Sequence, residues 1–377
     1  MYNALTTGNG QRHERIIFLD ALRGIAIIAV IFFHAYARWP ELYSYGDYFV
    51  DIVFFNTGIA GVNLFFMISG FVILMTLRKC SNVFQFLKRR WIRLFPAMLI
   101  CSLIIFISAP LFPERPAGSV CIGDLLPGLT FLGNDSLSNL LWKHFQDITG
   151  VFPHGIEGAF WSLYVEVKFY IIFGMLYYYL GEVVSIVFLY SLFILAKLTF
   201  FEFPYPQEGV ATFFILSMHR VQNFLLSLNF DAISAYLYLP GYGFFATGAL
   251  LFKYYNTKKR FFYITAIGAG IISAYPGREI RLANFILMAL MIISVQSSIV
   301  QRLLSNKFFI FMGAISYPLY LLHENMMVSM IVSIGKIFPA ISPYVIPILP
   351  IIFVVAFAWF IAKYCECRLR CILLNKI

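Results

Sequence analysis

The chain has 377 residues, 61% hydrophobic and only 12% charged, against about 25% charged in an average soluble domain. Apolar runs recur from residue 16 to residue 365, which excludes both a soluble enzyme and a soluble domain on a single anchor. The net charge of +10 would suit a nucleic-acid partner, but membrane proteins gather Lys and Arg on their cytoplasmic loops, so the expected partner is the lipid bilayer and not nucleic acid.

In lipid every backbone N–H and C=O must be bonded internally. Runs of about twenty residues suit helices and not the ten-residue alternating strands of a barrel. The pattern predicts an all-α integral membrane protein, a bundle of about ten transmembrane helices forming one domain over 1–377. The spans fall at about 16–37, 51–77, 94–112, 160–180, 183–203, 231–252, 261–275, 282–299, 308–334 and 344–364. Segment 209–229 mixes Phe and Leu with His219, Arg220, Gln222 and Asn223 and reads as an interfacial helix. With the N-terminus inside, eighteen basic residues fall on inner segments, Arg12 and Arg15 among them, and seven on outer ones, Arg278 among them. That asymmetry predicts cytoplasmic termini at both ends and an outer loop at 113–159. The six Cys show no zinc-type spacing, so no metal is expected, and with only Cys121 outside no disulfide is expected.

The first span, FLDALRGIAIIAVIFFHA, carries Asp20, Arg23 and His34. Such charges, with no small-residue cleavage site after them, argue against a cleavable signal peptide. Arg23 and His34 are eleven residues apart, so they share a helix face about 16 Å apart along the axis. Ionisable groups inside a span are functional candidates by default, and an imidazole moves protons near neutral pH. A structural reading is also available: Asp20 can pair with Arg23 at i,i+3, and His34 can snorkel at the outer interface.

Before the third span stand Lys88, Arg89, Arg90 and Arg93. Arg90 and Arg93, at i,i+3, can face one ligand together, and guanidinium forks suit phosphate oxygens. Ordinary cytoplasmic anchoring accounts for Lys88 and Arg89. The fourth span begins FWSLYVEVKFYIIF, with Glu166 roughly 9 Å deep and Ser162 one turn earlier on the same face. Glu166 and His34, both in the outer half, form a candidate acid–base couple. His323 and Glu324 in the ninth span read as packing and hydrogen bonding, and Tyr317 and Tyr320 as core.

Four segments in this order, FLDALRGIAIIAVIFFHA, GVNLFFMISGFVI, RRWIRLFPA and FWSLYVEVKFY, with ISYPLYLLH near the C-terminus, resemble the membrane-bound acyltransferase-3 family of glycan O-acyltransferases. The family's Arg–ten residues–His pattern matches Arg23 and His34, its Arg-x-x-Arg pattern Arg90 and Arg93, and its Ser-Leu-x-x-Glu pattern Ser162, Leu163 and Glu166. Two departures are Asn63, where an acid is common, and Val167–Lys168 after the Glu. The resemblance implies transfer of an acyl group, acetyl first, from cytoplasmic acyl-CoA to a hydroxyl of a surface or secreted polysaccharide, with acyl-CoA as co-substrate and no bound cofactor. Arg23, Arg90 and Arg93 would hold the donor phosphates. His34 would take the acceptor proton, Glu166 would orient the ring, and Asp20, Trp161 and Ser162 would support them. Some relatives carry a further extracytoplasmic esterase-like domain, which is not expected here. The rival reading is a transporter or flippase for a glycolipid or small metabolite; it favours paired halves with broken helices, and no such pairing is visible. A non-catalytic scaffold would have no use for Arg23, His34 and Glu166 at these depths.

Overall fold

The structure is a computed structural model and describes residues 16–133, 135, 138–200, 211–275 and 280–375. Arg12, Arg15 and Arg278 of the charge pattern, and the end of the fifth expected span, lie outside the described residues. Every regular element among those described is helical, as expected of an all-α membrane protein. The bundle is built from α1 (Ile17–Tyr36), α2 (Ala60–Leu77), α3 (Val83–Ser108), α4 (Trp161–Leu180), α5 (Glu182–Phe200), α6 (Tyr242–Thr257), α7 (Arg260–Ala274), α8 (Arg281–Gln296), α9 (Lys307–Ile337) and α10 (Ile348–Phe360). The segment read as interfacial forms a helix, Ala211–Ser227.

Six stretches are long and apolar enough to cross a bilayer: Ile17–Tyr36, Val53–Leu77, Val83–Leu111, Gly158–Leu180, Glu182–Thr199 and Ile348–Leu373. Two bent pairs raise this to eight at most. Phe230–Leu237 meets Leu239–Thr257 at 61°, and Arg281–Gln296 meets Ser298–Leu304 at 116°. Of the expected ten, six to eight thus meet that length and apolarity among the described residues, and two fall short for physical reasons. α7 has 15 residues, about 22 Å at 1.5 Å each, short of a core of about 30 Å. α9 has 31 residues, but His323, Glu324 and Asn325 at its middle take it out of the apolar set. Exposed Ile107, Ile264, Ile299 and Leu349 give the bundle the apolar exterior that lipid requires.

α1 and α9 are the central pair and pack more extensively on each other than any other two helices. A Cβ on Gly24 would stand 2.1 Å from the Phe309 carbonyl oxygen, and one on Gly313 would stand 1.8 Å from that of Asp20. The two backbones therefore touch where neither has a side chain, the close packing that membrane helices build from small residues. From this crossing each helix runs ten residues to an imidazole, His34 on α1 and His323 on α9. The helices are parallel there, and both rings lie about 15 Å along the axis. The loop between α3 and α4 is tied to this pair: the Asn325 amide donates to the Ile156 carbonyl at 2.8 Å, and its oxygen accepts from the Ala117 N–H at 3.1 Å.

Candidate active site

Two groups of polar side chains lie within the bundle. The first lines a cavity of about 700 Å³, measured out to its open side, and includes Arg23, Arg90, Arg93 and Glu166. Asn82 starts α3 by accepting from the Gln85 N–H at 2.9 Å. That start places Arg90 about two turns in and Arg93 one turn further along the same face. Arg90 is buried, donates to the Thr76 hydroxyl, and has an Nε without a hydrogen-bond partner. Arg93 is more open. Lys88 and Arg89 are exposed and do not line the cavity, so a few residues of one basic cluster divide between cavity and surface. Arg23 reaches the same space from α1 while bonded to Asp20 at 3.0 Å, so the structural pairing and the cavity-lining position hold together.

Glu166 faces these arginines. Its Oε1 accepts from the Ser69 and Tyr170 hydroxyls. The structure does not bring Glu166 to His34: the first turns of α4 present Glu166 to α2 and the arginine cavity, while His34 meets α9.

The second group is the histidine cluster. His34 Nδ1 lies 2.9 Å from the Val30 carbonyl and 3.3 Å from His323 Nε2, and His323 Nδ1 lies 2.9 Å from the Tyr320 carbonyl. Only an N–H can face a carbonyl, so each ring has a proton on Nδ1, and the single His34 Nδ1–H is shared between the Val30 carbonyl and His323 Nε2, which accepts. In the uncharged ring His34 Nε2 then carries the lone pair, and it stands 3.7 Å from Glu324 Oε1. Glu324 is itself fixed by the Ala159 N–H at 2.5 Å, and its neighbour Asn325 bonds both carboxylate oxygens of Glu157, at 2.8 and 2.7 Å. His323 and Glu324, read from sequence as packing residues, thus stand directly on His34. The signal for them was present: His323, Glu324 and Asn325 are three consecutive polar residues inside an apolar stretch, and the rule that selects His34 selects them too.

Tyr320 joins the two groups. Its hydroxyl bonds Ser162 and the Ala159 carbonyl, each at 2.8 Å; it lines the arginine cavity, and its ring centroid is 5.4 Å from that of His323. Tyr317 lines the same cavity. Trp161 stands at the start of α4, 36% exposed. The arrangement is an arginine-lined chamber with the His34–His323 imidazole pair one tyrosine beyond it.

A family model described as an acyltransferase domain matches residues 16–365. The chain belongs to this acyltransferase family. An O-acetyl transferase of Shigella phage Sf6 is 26% identical to this chain over 216 residues, 53% of this chain and 61% of that protein. The peptidoglycan O-acetyltransferase OatA of Listeria monocytogenes is 26% identical over 163 residues, 41% of this chain and 23% of that protein. An O-acetyltransferase OatA of Staphylococcus aureus is 26% identical over 166 residues, 42% and 24% respectively. The chain therefore spans less than two thirds of the length of each of these relatives. No solved structure matches it. Membership of this family together with its apolar helices makes the chain an integral membrane protein.

Proposed function

We propose that this acyltransferase moves an acetyl group from cytoplasmic acetyl-CoA onto a hydroxyl of a surface or secreted polysaccharide. It would work as a single domain in a bacterial cytoplasmic membrane, with both termini on the cytoplasmic side. The observation that carries the reading is the placement of the arginine cavity and the histidine cluster on either side of Tyr320.

A CoA thioester is polyanionic at one end and carries its acyl group on a long thin arm. Arg90 and Arg93, with Arg23 deeper, hold phosphate oxygens by paired N–H bonds, and the unpartnered Nε of Arg90 leaves one buried donor for that purpose. Asp20 and Glu166 hold the arginines and their surroundings in place, and Ser162 holds Tyr320. The arm passes Tyr320 and brings the thioester carbonyl to the histidine cluster. An acceptor hydroxyl loses its proton to His34 Nε2 as its oxygen bonds the carbonyl carbon. The C–S bond then breaks, and the departing thiolate takes the proton from the imidazolium. Glu324, 3.7 Å from Nε2, stabilises that cation, and His323 with the Val30 carbonyl fixes the ring. The inner–outer arrangement is supported by the asymmetry of basic residues. Relatives named as O-acetyltransferases, one of them for peptidoglycan, support the acetyl group and the glycan acceptor.

The test compares O-acetylation of envelope glycans by mass spectrometry in cells with and without the protein. Acetylation should disappear on deletion, return with the wild-type chain and stay absent with His34→Ala. Unchanged glycan acetylation on deletion would overturn the proposal.

A further inference from the structure

A second cavity opens on the far side of Gly158. Its empty space is about 780 Å³ out to its open side, and its walls include Glu157, Gly158, Trp161, Tyr164, Lys168 and Tyr238. We infer that this groove is the subsite that binds the carbohydrate acceptor, an inference that rests on the acyl-transfer reading above and adds to it where and how the sugar is held.

The lining has the chemistry of a sugar site. Sugar rings present a face of polarised C–H bonds and an edge of hydroxyls; aromatic faces, which carry negative charge density, complement the first, and a few fixed polar groups complement the second. Trp161 meets Tyr238 edge to face, with ring centroids 5.2 Å apart at 65°. Tyr238 thereby braces the indole while Trp161 keeps 36% exposure. The cation in the groove is already paired: Lys168 Nζ donates to Asp135 Oδ2 at 2.6 Å and to the Tyr236 carbonyl at 2.7 Å, and lies 3.9 Å over the Tyr236 ring. The groove therefore offers hydrogen-bonding groups without the unbalanced positive charge of the arginine cavity, which suits a neutral polyol better than a phosphate.

The backbone shows that Tyr238 is held there against its preference. It sits at φ 52°, ψ 49°, the left-handed region that aromatic residues seldom adopt, at the 61° break before Leu239–Thr257. Strain of this kind concentrates where a ligand is clamped. The groove also reaches the reaction centre. A Cβ on Gly158 would stand 2.9 Å from Glu324 Oε2, so one residue without a side chain separates the groove from the carboxylate beside His34. Glu157, in the same wall, bonds Asn325 on α9.

The test is saturation-transfer NMR on the purified full-length protein in detergent micelles. The probe is envelope polysaccharide from the producing cell, O-deacetylated with mild alkali. Wild type and His34→Ala should both transfer saturation to sugar-ring protons. Trp161→Ala and Tyr238→Ala should weaken glycan binding at least about tenfold while still binding acetyl-CoA, which shows that they are folded. Trp161→Phe, which keeps an aromatic face, should retain most of the binding. Glycan binding as tight in Trp161→Ala as in wild type, or no saturation transfer from the wild-type protein, would overturn the inference. Glycan binding without acetyl transfer by the wild type would leave the groove standing and remove the acyl-transfer reading instead.

Discussion

Gly313→Ala probes the contact that aligns the histidine cluster. The new methyl group would lie 1.8 Å from the Asp20 carbonyl oxygen, where ordinary contact begins at 3.4 Å. The obstacle is helix backbone and cannot rotate away, so α1 and α9 must part by roughly 1.5 Å, an overpacking strain of about 1–3 kcal/mol. The groups that depend on this spacing are ten residues further on: His34 is 3.3 Å from His323 and 3.7 Å from Glu324. A misplacement of about 1 Å costs on the order of 10²-fold in rate. We expect glycan acylation to fall about 30- to 100-fold at matched membrane levels, with a lower unfolding midpoint in detergent. Gly268→Ala on α7 is the control, because nothing lies within 4 Å of its added carbon and Ala favours a helix by about 1 kcal/mol. Wild-type specific activity in Gly313→Ala, or an equal loss in Gly268→Ala, would refute the reasoning.

His34→Ala and His34→Gln should both lose about 10²–10⁴-fold in acylation and keep acyl-CoA binding, since the phosphates would be held elsewhere; substantial turnover in either variant would remove His34 as the base. Glu324→Gln should depress the rate more than Glu166→Gln, whose effect should appear in donor affinity, and the reverse ranking in single-turnover measurements would return Glu166 to the chemistry. Arg90→Ala and Arg93→Ala should weaken acyl-CoA binding about ten- to a hundredfold, the scale of a lost charged hydrogen bond, with Arg→Lys also harmful; calorimetry giving equal affinities for these and for Lys88→Ala and Arg89→Ala would reduce the cluster to anchoring. In a Cys121→Ser background, a membrane-impermeant thiol reagent should label Lys143→Cys and not Asn256→Cys in intact cells, and the opposite pattern would invert the topology.

Several parts of the site were legible in the sequence because they depend on one helix at a time. The i,i+3 spacing of Arg90 and Arg93 sets them on one face, and both line the cavity that excludes Lys88 and Arg89. Asp20 and Arg23 pair as their spacing predicts. The number of spans was less legible, because α7 is apolar but short and α9 is long but interrupted by polar residues, and a hydropathy pattern weighs length and polarity without seeing what buries them.

The sequence by itself determined the solvent, the helical class, the basic asymmetry and the face each ionisable residue takes on its own helix, because these follow from apolar composition and a repeat of 3.6 residues per turn. Which faces meet was decided only by the tertiary structure. His34 and His323 are 289 residues apart, and their meeting depends on the approach of Gly24 and Gly313, where two backbones touch. Glu166 turned from the expected partner to the arginines for the same reason: helical periodicity fixes a residue's direction about its own axis, while packing between helices decides what stands in that direction.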